Sequence, residues 1–447
     1  MSIFSALTTS MSGLRAQSFA LEAISDNIAN AQTLGYKRAD ASFEDMVLEG
    51  PVSQQMGGSV AATSRSFADV AGSVRSSGVA TNFALSGPGF VAVRDRLNTA
   101  GGQAIFSATN AFTRRGDFTL DKDGYLVNGS GSYLVGSALN PLTGQQTGAA
   151  PDVIRVAAST IPARASTTLT YAANLPATPK TNAYDPNVAG SELWAAGAAA
   201  PAQVTQASTP SAKSLVDNSI SGQSVRFYDA VGLPVDVDMR WAKLSTGANG
   251  STWGLYACTT QGTTPETSTW SLATTATFDS AGQLTPAALT AAVDLTSRGL
   301  GTVNFDLGNG KMTQYADNSG QAQVRATQDG YGAGAFSSLT ISDTGRVIAN
   351  FTNGQTQSLA QITIAQFNAP GMLKRTSGGM FEETLESGAP LFNGSTTTLM
   401  AGSVEGSNTD IADEFSKMIV TQQAYSANTR VVSASQDMLK EIINVIR

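Results

Sequence analysis

Both ends of this chain carry a seven-residue repeat of apolar residues, and that repeat restricts the fold more than any other feature. Near the start it falls on Leu7, Leu14, Leu21 and Ile28. Near the end it falls on Ile411, Met418, Tyr425, Val432, Leu439 and Ile446. Repeats of seven indicate helices that bury one stripe against another helix, as in a coiled coil. We therefore predict a helix at each terminus, with an assembly seam on each.

An amphipathic helix more commonly packs on the surface of its own domain, and that alternative applies to both ends. The placement favours pairing, because two seams at opposite termini can pack on each other, or on copies in other subunits, and leave the middle as an insertion. Several offset positions of the second repeat are polar, namely Gln422, Thr429 and Gln436. Such a seam suits a larger packed array better than a strong dimer.

The C-terminal helix has a recognisable beginning in the sequence "EGSNTDIADEF". Ser407 and Asn408 are good N-cap residues, and Asp410 places negative charge at the positive end of the helix dipole. From Asp410 to Arg447, at about 1.5 Å per residue, the helix would be a rod of more than about 50 Å. A single-domain core does not need a terminal helix of that length.

Between the helices the apolar period changes to two, which is typical of strands. In "DFTLDKDGYLVN", Phe118 and Leu120 precede a D-K-D-G turn, and Tyr125 and Val127 follow it, which predicts a hairpin. Similar alternation and turn residues recur in residues 224–258 and 338–367. We predict a mainly β multidomain protein in which paired N- and C-terminal α-helices form a coiled-coil-like inner domain.

The length of 447 residues predicts roughly two to four domains. We predict the following division: 1–30 with 405–447 as the terminal helical inner domain, 31–75 with 370–404 as an extended linker region, 76–150 with 327–369 as a β domain, and 151–326 as an outer β domain of one or two subdomains.

Composition argues against most catalytic chemistry. The chain has no histidine, so zinc sites, Ser-His-Asp triads and general-base chemistry near neutral pH become improbable together. A net charge of -7 and a pI near 4.8 argue against nucleic-acid binding. The single cysteine, Cys258, cannot form an intrachain disulfide and is expected to be a small buried side chain.

Three short motifs that resemble ligand sites fail on inspection. "GPGFVA", from Gly87, leads into a strand-like segment rather than a helix, so we expect a tight turn there. Asp121 and Asp123 lack the other ligands of a calcium loop, and Lys311 lacks the flanking residues of a phosphate loop. We therefore predict no enzyme activity, no catalytic residues, no cofactor and no metal.

The N-terminus "MSIFSALTTSMSGL" has no basic segment and no unbroken apolar core, so it does not indicate a cleaved signal peptide. No stretch approaches the roughly 20 apolar residues that span a bilayer, which predicts no membrane insertion. If the protein leaves the cytoplasm, we expect a route other than general secretion.

Several segments resemble the flagellar rod and hook family of axial proteins. In "SDNIANAQTLGYKR", the positions that recur in that family are Asn27, Asn30, Thr33, Gly35, Tyr36 and Lys37. "LSGPGFVAV" and "FTRRGDFTLDKDGYLVNGSG" resemble its first β segment. In the C-terminal segment the matching positions are Glu405, Ser407, Asn408, Asp410, Glu414, Met418, Ile419, Gln422, Ala424, Tyr425 and Asn428. The resemblance covers roughly the first third and the last quarter of the chain.

Two positions depart from the family pattern. Gln423 stands where Arg is usual, and Val404 stands where Leu is common. Each change removes one contact that inter-subunit pairing could use and leaves the pattern intact.

The resemblance implies a helical homopolymer outside the cell, in the flagellar hook or basal body. It implies export without a cleaved signal peptide through the flagellar type III export apparatus, and contacts with the distal rod protein, the hook cap and the hook-filament junction proteins. It also implies that Asn30, Thr33 and Gly35 end the first helix and turn the chain outward. Tyr36, Lys37 and Arg38 would then anchor the linker against a neighbour; for Lys37 and Arg38 the alternative is an ordinary helix cap with a solvated basic tail.

The length of the middle segment distinguishes among members of this family. The resemblance implies that rod proteins have a short middle, whereas about 175 residues with their own β pattern intervene here, near 151–326. That favours a hook-type subunit, which forms a flexible tube that transmits motor torque, over a distal rod or hook-filament junction protein. A secreted β-rich adhesin or a carboxylate-dependent glycan hydrolase is the alternative from another class, but it would not need two matching terminal helices.

Overall fold

The computed structural model describes residues 3–46, 59–100, 103–141, 143–156, 160–194, 200–248, 250–392 and 396–445. The chain divides into two compact units. Unit 1 consists of Met1–Ala158, Ser337–Asn350 and Thr356–Arg447, and unit 2 consists of Ser159–Phe336 and Phe351–Gln355. The four-part division predicted from the sequence remains a prediction.

Three α-helices are described: α1 (Ile3–Ala29), α2 (Ala212–Asp217) and α3 (Ile411–Val445). Helices α1 and α3 pack against each other in unit 1. They run antiparallel, because Gly13 lies beside Asn428 while Asn27 bonds Glu414. The predicted terminal helices are therefore confirmed as elements. No helix within the described ranges combines the length and apolarity needed to cross a bilayer.

The first strands belong to unit 1. They are β1 (Ala39–Asp45), β2 (Val60–Ser66), β3 (Val74–Ser76), β4 (Phe83–Ser86), β5 (Phe90–Ala100), β6 (Gln103–Phe106), β7 (Ala111–Thr113), β8 (Phe118–Leu120), β9 (Leu126–Asn128), β10 (Ser132–Ala138) and β11 (Asp152–Val153). Strands β1 and β2 pair antiparallel and pack on α1. Strands β8 and β9 pair across the turn at Asp121–Gly124, which confirms the hairpin predicted there.

The next strands belong to unit 2. They are β12 (Thr160–Ile161), β13 (Thr168–Asn174), β14 (Gln203–Val204), β15 (Ser219–Tyr228), β16 (Pro234–Gly247), β17 (Gly250–Thr260), β18 (Thr269–Phe278), β19 (Leu284–Thr285), β20 (Thr290–Asp294), β21 (Thr302–Asp306), β22 (Met312–Thr313) and β23 (Gln323–Gln328). One sheet has the order β14-β18-β17-β16-β15, and another has the order β20-β21-β13-β22 with β23 on β13.

Unit 2 has a core on each face of its first sheet. Alternate residues of β16, including Met239 and Trp241, pack toward the second sheet, where Phe227 stacks on Phe305 at 6.3 Å. On the opposite face a second cluster lies beside α2 and contains the buried Cys258. The alternation predicted for residues 224–258 and the burial of the cysteine are thus confirmed.

The last strands lie mainly in unit 1, although the first of them begins, and the second ends, with residues of unit 2. They are β24 (Gly334–Ile341), β25 (Arg346–Phe351), β26 (Thr356–Ile362), β27 (Ile364–Gln366), β28 (Lys374–Thr376), β29 (Met380–Glu382), β30 (Leu391–Phe392), β31 (Thr398–Ala401) and β32 (Ser403–Glu405). The main sheet runs β24-β25-β26-β10-β5-β7-β29-β28. Its core is aromatic, because Phe90, Phe112, Phe367 and Phe381 meet edge to face.

Candidate assembly site at the terminal helices

The seam predicted on α1 lies at the border of its contact with α3. The predicted residues are all half-buried: Leu7, Leu14, Leu21 and Ile28. The fully buried positions on this helix include Ala16, Ala20, Ile24 and Asn27. Small residues bring the two helices close together, since a Cβ on Gly13 would lie 3.0 Å from Asn428 Nδ2. Within the chain, therefore, small and polar side chains form the centre of the helix contact.

On α3, too, polar side chains rather than the predicted apolar seam form the centre of the helix contact. Of the predicted seam, Met418, Val432 and Leu439 are half-buried, Ile411 and Tyr425 are exposed, and Ile446 lies outside the described residues. The buried positions are Glu414, Thr421 and Ser435. Their seven-residue spacing places them on one face of the helix. That face meets α1 with little apolar surface.

Two apolar flanks border this face of α3. At 100° per residue, Val420, Val431 and Met438 fall together on one side of Thr421. Ile411, Phe415 and Ile419 begin on the other side and continue round toward the back of the helix, at about 80°, 120° and 160° from Thr421. Each of the six has at least 40% of its surface exposed, and Val420 has 65%. Exposed apolar stripes on both sides of one helix are typical of surfaces that pack against further partners.

A buried ion cluster joins the bases of the two helices to the β region of unit 1. Lys37 Nζ lies 2.6 Å from Glu405 Oε1, and Arg114 Nη1 lies 3.4 Å from Glu405 Oε2. All three side chains are fully buried. Burial lowers the pKa of the Lys37 ammonium, and Glu405 opposes that shift. Burial also lowers the pKa of Arg114.

Further bonds complete the surroundings of Glu405. Its Oε1 accepts the N–H of Gly72 at 2.8 Å, and its backbone carbonyl accepts the N–H of Gly35 at 2.8 Å. Lys37 Nζ also donates to the carbonyl of Val70 at 2.6 Å. One carboxylate therefore holds three separate segments from the first third of the chain, at Lys37, Gly72 and Arg114, to the segment that precedes α3.

A second buried group centres on Asn27. Its Nδ2 donates to Ala39 O at 2.9 Å and to Glu414 Oε2 at 3.1 Å. Its Oδ1 accepts the N–H of Ala39 at 3.1 Å and the hydroxyl of Tyr36 at 3.2 Å. Lys417 Nζ then donates to Glu414 Oε1 at 2.8 Å. The amide of Asn27 thus fixes the exit of α1 against the start of α3.

In the predicted turn before α3, two side chains cap the helix, and a third accepts a hydrogen bond from the linker that follows α1. Ser407 Oγ accepts the N–H of Thr409 at 3.1 Å, and Asp410 Oδ1 accepts the N–H of Ala412 at 2.8 Å. Asn408 Oδ1 accepts the N–H of Arg38 at 2.7 Å. Asn408 therefore connects the two linkers, a role that its N-cap character alone did not predict.

The predicted turn after α1 is equally specific. Thr33 Oγ1 donates to Asn30 Oδ1 at 3.1 Å, and the N–H of Thr33 donates to Asn30 O at 3.1 Å. Gly35 has φ of 66°, and a Cβ there would lie 2.7 Å from Arg115 N. Glycine is therefore required both by the left-handed backbone and by the close approach of another segment.

Sequence reasoning did not assign the ion cluster. In the sequence, Arg114 is recognisable only as part of a β segment, and Glu405 only as a position of the family pattern. Arg114 stands beside Arg115 and Asp117, which pair with each other, so the local sequence does not single it out. The contact itself joins residues 291 positions apart, and spacing does not reveal it.

Three family models match separate parts of the chain. The model described as flagella basal body rod protein matches residues 7–37, and the flagellar basal body rod FlgEFG protein C-terminal model matches 400–445. The flagellar basal body protein FlaE D2 domain model matches 195–331. The matches include both terminal helices and much of unit 2, and together they define an axial protein of the flagellar basal body class.

Full-length relatives specify the family. The flagellar hook protein FlgE of Brucella suis biovar 1 is 30% identical over 455 residues, with 100% of both chains covered. That of Escherichia coli K12 is 30% identical and covers 98% of this chain and 100% of its own. The chain belongs to the flagellar hook protein family. The crystal structure of Helicobacter pylori FlgE2 covers 73% of this chain and 98% of its own, at 16% identity and a TM-score of 0.48.

Proposed function

We propose that this chain is the structural subunit of a flagellar hook, and that its copies assemble into a flexible helical tube that carries torque from the rod to the filament. The observation that carries the proposal is the pair of apolar flanks on α3. They lie on both sides of the α1 contact, so a helix pair can receive a neighbour on each side.

The flanks supply a driving force for assembly. Burying an exposed Val, Ile or Phe side chain contributes about 1.5–3 kcal/mol. Different surfaces of two copies meet in such a contact, and a contact of that kind continues into an open helix rather than closing as a dimer. We infer that the seam residues Leu7, Leu14, Leu21, Met418, Val432 and Leu439, which border the intrachain contact, are further buried in the polymer.

The ion cluster at Glu405 has a mechanical role in this proposal. Torque that enters through the terminal helices must reach the β region of the same subunit. Lys37 and Arg114 connect both helix bases to that region through one buried carboxylate. A fully buried, charge-assisted cluster transmits load without sliding, because separating its members leaves charges unpaired away from water.

We assign to unit 2 the role of setting the shape of the tube. A curved rotating tube requires contacts that exchange among arrangements of similar energy, and small, wet contacts between polar surfaces suit that exchange. The surface of unit 2 is rich in exposed Thr, Ser and Gly with scattered charges. The further partners that we propose are the distal rod protein, the hook cap, the hook-filament junction proteins and the type III export apparatus, with export without a cleaved signal peptide.

The experiment is polymerisation of the purified full-length chain. Salting out strengthens apolar association, so the expected product is hollow tubes of uniform diameter, seen by negative-stain electron microscopy. Amorphous aggregate or a soluble monomer at every salt concentration would contradict the proposal. A match in diameter to hooks isolated from the same cells would identify the tube as a hook.

A further inference from the structure

Lys243 is a buried cation in unit 2. It lies on β16 with 4% of its surface exposed, on the same face of the strand as Met239 and Trp241. Its Nζ donates to the carbonyl of Ala177 at 2.6 Å. An ammonium group has three donors, so this bond leaves two of them for another acceptor.

Among the residues that the structure describes, Lys243 has no counter-charge at contact distance, and Glu192 acts on it only from beyond 4.0 Å. Burial accordingly lowers the pKa of the ammonium, and Glu192 opposes that shift. Buried charges in proteins are ordinarily paired, so an unpaired one calls for a missing anion.

Two further donors lie near Lys243, in the side chains of Trp253 and Gln314. Trp253 is the register partner of Lys243, so both side chains project on the same face of the ladder. Its Nε1 is buried and has no hydrogen-bond partner within the described ranges. Gln314 Oε1 accepts from Ser251 Oγ, which leaves the NH₂ group of Gln314 as a further donor.

A cavity of about 350 Å³ is lined by Lys243, Ser251 and Gln314, whereas Trp253 lies behind Lys243 and is not among the lining residues. Asp279 also lines it, and the N–H groups of Ala281 and Gln283 donate to its Oδ1 and offset part of its negative charge. We propose that this cavity binds a small oxyanion, a carboxylate or phosphate, whose oxygens accept from Lys243 Nζ and from the amide of Gln314. The anion pairs the buried ammonium and stabilises unit 2.

Titration with phosphate and with acetate shows whether the cavity prefers a phosphate or a carboxylate. Isothermal titration of the full-length wild-type chain is done with each, in buffer whose ionic strength is held constant with chloride. One saturable site per chain for either anion supports the proposal. If neither anion gives saturable heat, the proposal is overturned. This experiment uses only the wild-type chain, so its outcome does not depend on whether a variant folds.

The second arm compares two lysine variants by tryptophan fluorescence, which follows unit 2. In Lys243→Met the anion should no longer shift the unfolding midpoint, whereas at ten times Kd it raises the folded-to-unfolded ratio of the wild type about elevenfold. Lys180→Met is the matched control, because Lys180 also donates to a carbonyl, that of Asn318, but is exposed. An anion-dependent shift in Lys243→Met equal to that of the wild type and the control would overturn the proposal.

Discussion

Lys37 Nζ lies 2.6 Å from Glu405 Oε1, and neither side chain has any exposed surface. The two residues are 368 positions apart and lie at the bases of α1 and α3. With Arg114 as the third member, the cluster makes the folding of the terminal segments depend on the β region of unit 1.

Replacing the carboxylate alone tests this dependence. Glu405→Gln keeps the size of the side chain but leaves two buried cations without a counter-charge, so we expect unit 1 to lose about 3 kcal/mol or more of its free energy of unfolding. Urea unfolding followed by circular dichroism measures the loss. The tryptophan signal should not change, because Trp194, Trp241, Trp253 and Trp270 all lie in unit 2.

Glu382→Gln is the control for that experiment. Glu382 pairs with Lys374 at 2.8 Å, but both side chains are about half exposed or more, so the change should cost less than about 1 kcal/mol. Equal effects of the two substitutions would mean that the buried cluster has no special role.

The amide of Asn27 is the second determinant of the helix junction. In Asn27→Ala, the N–H of Ala39, the hydroxyl of Tyr36 and Glu414 Oε2 each lose a buried partner, at a cost of about 2 kcal/mol or more in total. Amide hydrogen exchange at Ala39 should become much faster. Asn30→Ala removes a side chain that bonds only within its own turn, and it should leave that exchange rate nearly unchanged.

Gly35→Ala should be more harmful than an ordinary glycine substitution. The left-handed φ alone costs about 1 kcal/mol, and the Cβ would also meet the backbone of Arg115 at 2.7 Å. Gly131 has φ of 89° with nothing within 4 Å of a Cβ, so Gly131→Ala carries only the first cost. Thermal unfolding should rank the two variants in that order, and the reverse order would show that the close approach is easily relieved.

The sequence predicted elements better than contacts. The hairpin at Phe118 and the strands around Trp241 follow from local alternation and turn residues, which act within a few positions. The seam was harder to place. Apolar spacing identifies side chains that favour burial, but it does not say whether the partner is in the same chain, and here Ala20 and Thr421 lie at the intrachain contact instead. The Glu405 cluster depends on the tertiary fold, so no local pattern could predict it.

Removing most of unit 2 tests the division of roles between the two units. Ile161 and Gly334 are register partners on β12 and β24, so a short Gly/Ser linker can replace residues 162–333 as a hairpin loop. We expect this variant to polymerise, because the terminal helices remain, but to give straight or abnormally shaped tubes. If circular dichroism shows a folded chain that forms no polymer at any salt concentration, unit 2 is required for assembly itself.

The most direct test of the central claim is electron microscopy of polymers formed by two variants of α3 under the conditions that polymerise the wild type. Val420→Asp places a charge in an apolar flank, whereas Ser433→Asp places the same charge at an exposed position that is not three or four residues from any member of either flank. The account predicts that Ser433→Asp forms normal tubes and that Val420→Asp stays monomeric with an unchanged unfolding midpoint. Normal tubes from Val420→Asp would contradict it.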